Sequence, residues 1–182
     1  RRAAEEQAAK SLAERRAAFD QSHVWETYQA NMREEQRQWW IKRGIPRDWQ
    51  NWWKLGYLAN LWPFVENSHG GHGLGPAYSI PYQLNGAVVT VQHRVAEPNG
   101  CGKYLFEAGL GAPAFITRSE QSFKGKKVLV VEGGIKAMVT HVVGTDGKLQ
   151  VAGTPCVNSL GDGLLPLLNE AAWVWWWLDP DS

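Results

Sequence analysis

A run of four apolar β-forming residues at 128–131 leads directly into Glu132 and two glycines, and this feature most constrains the fold. A continuous apolar run of this kind predicts a strand buried on both faces, as in a parallel sheet. The glycines at 133 and 134 allow a tight turn. Helical spacing of apolar residues then predicts a helix, with Ile135, Met138, Val139 and Val142 on its buried face. Glu132 is therefore expected at the carboxyl end of a strand, where open α/β sheets bind ligands.

A second apolar run, residues 172–178, ends in two further carboxylates, Asp179 and Asp181. Side chains two residues apart in an extended segment point the same way. If both runs are strands of one parallel sheet, Glu132 and the two aspartates meet at one edge. Three carboxylates at one edge repel each other unless they share a cation. Because oxygen ligands at an open site suit Mg²⁺ (or Mn²⁺), we expect these three residues to be metal ligands.

The composition limits the class of protein without identifying it. A chain of 182 residues can form one domain or two small ones, and its net charge of +1 means that a nucleic-acid site would be a local patch. Cys101 and Cys156 lie far apart and form no Cys-x-x-Cys pair, which argues against a zinc module within these residues and against a disulfide framework. No apolar run approaches the ~20 residues of a membrane span. The chain starts without Met and stops just after the Asp-x-Asp, so we expect a piece of a longer polypeptide.

Residues 1–43 have strong helical composition, with no Gly or Pro before Gly44. The first ~20 residues predict a solvated helix because their charges are mixed, and a better apolar stripe follows at Trp25, Tyr28 and Met32. Gly44 is expected to end the helical run and Pro46 to open the next helix, with an apolar side made of Trp49, Trp52 and Trp53. We expect most of the eleven tryptophans to pack in the core, and stacking on bases is the alternative.

Residues 78–94 predict two strands joined by a tight turn at Asn85-Gly86. Alternation places Arg94 on the more polar face of the second strand, together with Val88, Thr90 and Gln92. Arg94 could bind a ligand from there or could simply be exposed. A third strand is predicted at residues 103–106.

The order Val-Val-Glu-Gly-Gly-Ile-Lys-Ala, then Leu-Asp-Pro-Asp-Ser, resembles the Toprim domain of bacterial-type primases, type IA and II topoisomerases and some nucleases. The match covers roughly residues 126–182. It implies that Glu132 is a catalytic residue as well as a metal ligand with Asp179 and Asp181. Lys136, in a Glu-Gly-x-x-Lys-Ala stretch, resembles phage and mobile-element Toprim proteins, and a lysine there could face a phosphate.

The preceding part of the chain resembles primase cores. Arg-Gly-Ile at 43–45 and Leu-Gly-Tyr at 55–57 resemble the short helical unit before such a core, and the strand pair ending in Arg94 resembles its amino-terminal subdomain. The resemblance implies that Arg94, Lys103 and Tyr104 line a groove for template and nucleotide phosphates. The family's Lys-Tyr-Leu-Asn-Ser stretch differs here, because Phe106 and Glu107 replace its Asn and Ser.

These observations predict an α/β fold (α+β overall) in three parts. A helical leader and linker spans residues 1–62, a small antiparallel β-rich subdomain spans 63–125, and a partial Toprim βαβαβ sheet, cut after its third strand, spans 126–182. The resemblance implies a DNA primase, which uses ribonucleoside triphosphates and Mg²⁺ to make RNA primers on single-stranded DNA in the cytoplasm, with a replicative helicase as partner or in the same chain. A Toprim nuclease or topoisomerase, or a non-catalytic nucleic-acid-binding remnant, are the alternatives.

Overall fold

The computed structural model describes residues 2–61, 74–98, 102–118, 122–156 and 158–178. Within these ranges there are six α-helices: α1 Arg2–Ser22, α2 Val24–Ala30, α3 Glu34–Ile41, α4 Arg47–Trp52, α5 Gly134–Val139 and α6 Leu164–Glu170. The strands are β1 Gly56–Leu58, β2 Ala77–Leu84, β3 Ala87–Val95, β4 Tyr104–Phe106, β5 Phe115–Ile116, β6 Lys127–Glu132, β7 Gln150–Thr154 and β8 Trp173–Trp177. Among the described residues, no helix is long and apolar enough to cross a membrane.

The strands form two four-stranded sheets. The first is antiparallel, in the order β1-β2-β3-β4. The second has the order β5-β7-β6-β8, in which β7 and β8 run parallel to β6 and β5 runs antiparallel to β7. Together, β6, α5, β7, α6 and β8 make a βαβαβ unit. The predicted fold class is therefore confirmed, with a helical leader, an antiparallel sheet and a partial parallel sheet.

Helix α1 is solvated, as its mixed charges predict, since none of its residues is buried. Polar contacts attach it to the rest of the protein. The Asp20 carboxylate accepts a hydrogen bond from the backbone N–H of Val88 at 2.8 Å. Arg16 donates to the carbonyl of Leu110 and forms an ion pair with Asp162, both at 2.9 Å. Helix α1 therefore touches both halves of the molecule through hydrogen bonds and charge.

The shorter leader helices supply much of the core. Trp25, Tyr28 and Met32 are buried, as their spacing predicts. Gly44 ends the turn after α3 with a φ of +82°, which favours glycine. The predicted apolar side of α4 is correct for Trp53, which is 1% exposed, and wrong for Trp52, which is 60% exposed. Because α4 is only six residues long, it presents one narrow side to the core.

Tyr82 of β2 joins the two sheets. Its ring lies 5.2 Å from the ring of Phe115 in β5. A Cβ atom added to Gly134, at the start of α5, would lie 3.0 Å from the Tyr82 hydroxyl oxygen, so the absence of a side chain lets these parts approach. Burial raises the pKa of Tyr82. The turn after β6 is therefore packed directly against the first sheet.

The face of β3 that was predicted to be the more polar one is largely buried. Thr90 is fully buried and Gln92 is 3% exposed, because this face of the first sheet packs on the second half of the protein. On the same face, the hydroxyl of Tyr82 in β2 donates a hydrogen bond to the Gln92 side chain at 3.0 Å. The pairing of β2 with β3 is also irregular, and this reverses the faces on which Val88 and Val89 were expected. Val88 packs beside α2, and Val89 packs in the main core. Alternation alone could not predict this, since a bulge changes the period of two.

The tryptophans of β8 contradict the expectation of core packing. In the part of the chain that the structure describes, these side chains are exposed to solvent: Trp173 by 63%, Trp175 by 44%, Trp176 by 50% and Trp177 by 68%. Strand β8 lies at the edge of the second sheet, whereas β6 and β7 lie inside it. The apolar run correctly predicted a parallel strand beside β6, but burial depends on what covers the strand.

Candidate functional site

Glu132 ends β6 as predicted, and its side chain is half-buried. The backbone beside it is fixed by two hydrogen bonds of Gly133, which donates to the Thr154 carbonyl at 2.9 Å and accepts from the Ala137 N–H at 3.1 Å. Gly133 has a φ of +79°. A Cβ atom on Gly153 of β7 would lie only 2.5 Å from the Gly133 carbonyl oxygen. The carboxylate is thus placed at a strand end by closely packed backbone.

The other two predicted metal ligands, Asp179 and Asp181, lie outside the described residues. Strand β8 ends at Trp177, which is the register partner of Val131, so β6 and β8 end at the same edge of the sheet. Among the residues that the structure describes, no group of three or more His, Cys, Asp or Glu side chains could hold a metal ion. The three-carboxylate site therefore stays a prediction.

Lys136 lies in the first turn of α5 and is exposed. Helix α5 begins two residues after Glu132, so both residues belong to the carboxyl edge of the second sheet. The predicted phosphate contact of Lys136 stays a prediction.

A second group of residues lies on the first sheet. Tyr78, Arg94 and Tyr104 sit side by side across β2, β3 and β4. The Trp39 ring of α3 stacks on the Tyr78 ring at 3.9 Å, with 16° between their planes. The guanidinium of Arg94 lies 5.0 Å from the centre of the Trp39 ring, and that of Arg43 lies 3.3 Å from it. We call Trp39, Arg43, Tyr78, Arg94 and Tyr104 the arginine–aromatic cluster.

The electrostatics of this cluster favour an anionic ligand. Burial, followed by the positive charge of Arg94, lowers the pKa of Arg43 from its usual value. Arg43 also donates to the Trp39 carbonyl at 3.0 Å. Within the described part of the chain, neither arginine forms an ion pair with a carboxylate. Two cations held at one indole ring repel each other, and a bound phosphate would remove that cost.

The structure brings three of the predicted binding residues together. Tyr104 lies opposite Arg94 and is 41% exposed, and the Lys103 ammonium lies 5.8 Å from the Tyr104 ring. The carbonyl of Lys103 accepts a hydrogen bond from the Val95 N–H at 3.0 Å, which fixes its backbone to β3. The sequence analysis did not predict that Trp39, Arg43 and Tyr78 belong to this surface. Arg43 could have been proposed, because it lies in the Arg-Gly-Ile stretch that resembles primase cores.

One strand connects the two groups. Tyr78 belongs to the cluster, and Tyr82 lies four residues further along β2, roughly 13 Å away, beside the turn at Gly134. Arg94 and the Glu132 edge are therefore parts of two sheets that pack on each other. This arrangement places the arginine–aromatic cluster and the Glu132 carboxylate on neighbouring halves of one core.

Comparison with known proteins gives a fold class. No protein-family model matches the sequence, and no curated protein matches it. Solved structures of bacterial primase cores do match. The fold is thus that of a primase-type catalytic core, with an antiparallel sheet beside a mixed sheet.

Three of the matching structures are specific. The primase of Aquifex aeolicus (zinc-binding and RNA polymerase domains) matches with a TM-score of 0.64 at 15% identity, covering 93% of this chain and 49% of its own. The E. coli primase catalytic core matches with a TM-score of 0.60 at 18% identity, covering 84% and 58%. The DnaG primase catalytic domain bound to single-stranded DNA matches with a TM-score of 0.57 at 18% identity, covering 93% and 63%. The chain spans about half to two thirds of these structures.

Proposed function

We propose that this chain is part of a DNA primase, a nucleotidyltransferase that makes RNA primers on single-stranded DNA during replication. The observation that carries the proposal is the fold likeness to primase catalytic cores over as much as 93% of the chain. The arginine–aromatic cluster supports it because that surface suits phosphates. One matching structure is a catalytic domain bound to single-stranded DNA, and another is a Mycobacterium tuberculosis primase domain with double-stranded DNA.

The proposed metal ligands are Glu132, Asp179 and Asp181, with Mg²⁺ (or Mn²⁺) as the metal. The half-buried Glu132 at an edge shared by β6 and β8 fits an oxygen-ligated cation, since hard cations take carboxylates. When bound, such an ion neutralises phosphate oxygens and lowers the pKa of an attacking hydroxyl. Glu132 is also the proposed catalytic residue. In this proposal residues 126–182 are the Toprim part of the chain.

The proposed nucleic-acid and nucleotide contacts come from both halves. Arg94, Arg43 and Lys103 bind backbone or triphosphate oxygens, and the exposed Tyr104 ring stacks on a base. Lys136 contacts a phosphate beside Glu132. Phosphoryl transfer depends mainly on positioning and on charge neutralisation, which this division of residues supplies.

The proposal includes the setting of the reaction. Ribonucleoside triphosphates are the substrates, a replicative helicase is the partner, in the same chain or separate, and the cytoplasm of a bacterial or phage-infected cell is the location. The Glu-Gly-x-x-Lys-Ala stretch favours a phage or mobile-element origin.

The test is primer synthesis with single-stranded DNA, labelled ribonucleotides and Mg²⁺. We expect short RNA products that fall by at least about 100-fold in Glu132→Gln, because the group that holds the metal is lost. Asp179→Asn should give a similar loss. Glu97→Gln, which changes an exposed carboxylate after β3, is the matched control and should retain full synthesis.

Two results would contradict the proposal. Cleavage of DNA without any need for ribonucleotides, lost in Glu132→Gln, would establish the nuclease or topoisomerase alternative. Intact DNA binding with no synthesis and no cleavage would leave a binding protein that has kept the fold.

A further inference from the structure

A basic pocket of about 250 Å³ lies at the opposite end of the second sheet from Glu132. It is lined by the starts of β6 and β7 and by neighbouring segments. Four of its six lining residues are basic, namely Arg118, Lys126, Lys127 and Lys148, and the other two are Leu149 and Gln150. None of them is acidic. The proposed primase chemistry uses no residue of this pocket.

Gln150 distinguishes this pocket from a chance group of surface lysines. It lines the pocket and is only 4% exposed. Neither its amide nitrogen nor its amide oxygen has a hydrogen-bond partner in the described part of the protein. Buried amides almost always find partners, so an unpaired donor in the wall of a basic pocket indicates a ligand that supplies acceptors.

Hydrogen bonds to neighbouring segments hold two of the basic residues in place. The Arg118 guanidinium donates to the carbonyl of Gly147, which holds it beside the turn before β7. The Lys126 carbonyl accepts hydrogen bonds from Ala172 at 2.9 Å and from Trp173 at 3.4 Å. The backbone positions of these residues are therefore set by the ends of neighbouring strands, which holds the bases of their side chains around one pocket.

An acidic residue that pairs with Lys148 is a weak competitor for a bound anion. Asp146 forms an ion pair with Lys148 at 3.1 Å, and both side chains are at least 80% exposed. Exposed pairs of this kind contribute little stability and exchange readily. A ligand with several negative charges would displace Asp146 because it meets Arg118, Lys126 and Lys127 as well.

We propose that this pocket, at the amino end of the second sheet, binds a compact multiply charged phosphate, namely a di- or triphosphate group. Its volume lies below the roughly 300–1,000 Å³ of pockets for larger organic ligands, which favours a phosphate group over a whole nucleotide. Lys127 and Glu132 are the two ends of β6, so the pocket lies roughly 17 Å from the carboxylate edge. It is thus a second anion site, suited to sensing free pyrophosphate or the phosphates of a nucleotide, and it does not depend on the primase proposal.

The experiment measures binding of inorganic pyrophosphate and of tripolyphosphate to the chain by calorimetry, at low salt and without metal. We expect the double variant Lys127→Gln, Lys148→Gln to weaken both by about 10-fold or more, since charge-assisted contacts are lost. The matched control Lys10→Gln, on the exposed surface of α1, should change affinity less than about 2-fold.

Gln150→Leu separates binding from folding. It replaces an unpaired buried amide by an apolar group of similar size, so the melting temperature should stay the same or rise, while pyrophosphate affinity falls about 3-fold or more. A Gln150→Leu protein with unchanged affinity would contradict the role of the amide.

The remaining arms locate the site and identify the source of the phosphate. Loss of pyrophosphate binding in Arg94→Gln, together with unchanged affinity in the Lys127→Gln, Lys148→Gln double variant, would place the anion at the candidate active site and overturn the proposal. Equal weakening by Lys10→Gln would show a general charge effect and overturn it too. If the double variant weakens a single-stranded oligonucleotide but not pyrophosphate, the pocket is a contact for the nucleic-acid backbone instead.

Discussion

Two tryptophans of the helical leader, Trp40 and Trp53, have the opposite environment to the tryptophans of β8. Trp40 and Trp53 are 0% and 1% exposed, and the Trp53 indole N–H donates to the Thr117 carbonyl at 2.8 Å. Trp177 is 68% exposed. The difference follows from position, because the leader helices lie against the junction of the two sheets whereas β8 lies at a sheet edge. A cluster of large aromatic residues therefore predicts a contact surface, and the topology decides whether the chain itself covers it.

The largest expected effect tests this difference in burial directly. Trp53→Ala should lower the free energy of unfolding by about 3–5 kcal/mol, because it opens a cavity and removes the donor to Thr117. Trp177→Ala should cost less than about 1 kcal/mol. Urea unfolding of both variants measures the two values. Equal costs would mean that the indole of Trp177 is covered in the folded protein and that the comparison is wrong.

The next effect concerns which tryptophans serve nucleic acid. Trp39→Leu removes the ring that holds the guanidinium groups of Arg43 and Arg94, so affinity for single-stranded DNA should fall about 10-fold. Trp176→Leu, on β8, is the matched control and should leave affinity unchanged. Fluorescence anisotropy with a labelled oligonucleotide measures both. Stronger loss in Trp176→Leu would show that the exposed strand is the stacking surface.

The smallest effect depends on the histidine that the leader tryptophans enclose. His141 is fully buried, its ring lies 4.9 Å from that of Trp49, and burial lowers its pKa below the ordinary value of 6.5. Below pH 6.5 the unfolded chain takes up a proton that the folded protein does not, so stability should fall as the pH drops from about 6.5.

The measurement is the free energy of unfolding between pH 7.5 and pH 5. His141→Asn should be less stable at neutral pH but should lose stability less steeply in acid. His23→Gln, in which an exposed histidine is replaced, serves as the control and should follow the parent curve. A His141→Asn curve parallel to that of the parent would show that another group causes the acid effect.

Local patterns predicted a large part of the fold. The Asn85-Gly86 turn has positive φ at both residues, as the dipeptide predicts, and β6 with its Glu-Gly-Gly turn lies where the apolar run placed it. These features depend on neighbours in sequence. The two-residue strand β5 gave no signal, since its position depends on pairing with β7, and the bulge in β2 and β3 likewise depends on tertiary packing.

The sequence indicated charged residues of the candidate site but not what surrounds them. Arg94 and Tyr104 lie side by side and their binding role stays a prediction, whereas Glu107, a departure from the family's motif, has a structural contact that no pattern indicated. It is 7% exposed, and its carboxylate lies 3.0 Å from the His93 ring nitrogen and accepts a hydrogen bond from the Tyr28 hydroxyl at 3.1 Å. Burial, with the Glu107 charge, raises the pKa of Tyr28. Such a network joins residues up to 79 positions apart, so a single sequence does not reveal it.

The polar attachment of α1 has a consequence for how the protein opens. Its polar contacts include the Asp20 bond to β3, the ion pair of Arg16 with Asp162, and the arginine bonds to the carbonyls of Gly109 and Leu110. Its apolar packing includes the partly buried Phe19, and none of its residues is fully buried. Segments with little apolar burial open at low free energy, well before the cooperative core. Helix α1 can therefore detach while both sheets stay folded, and its detachment would release residue 162 from its arginine partner. Proteases and moderate salt would act first at this helix, which makes it the natural place for the molecule to be clipped or remodelled without unfolding.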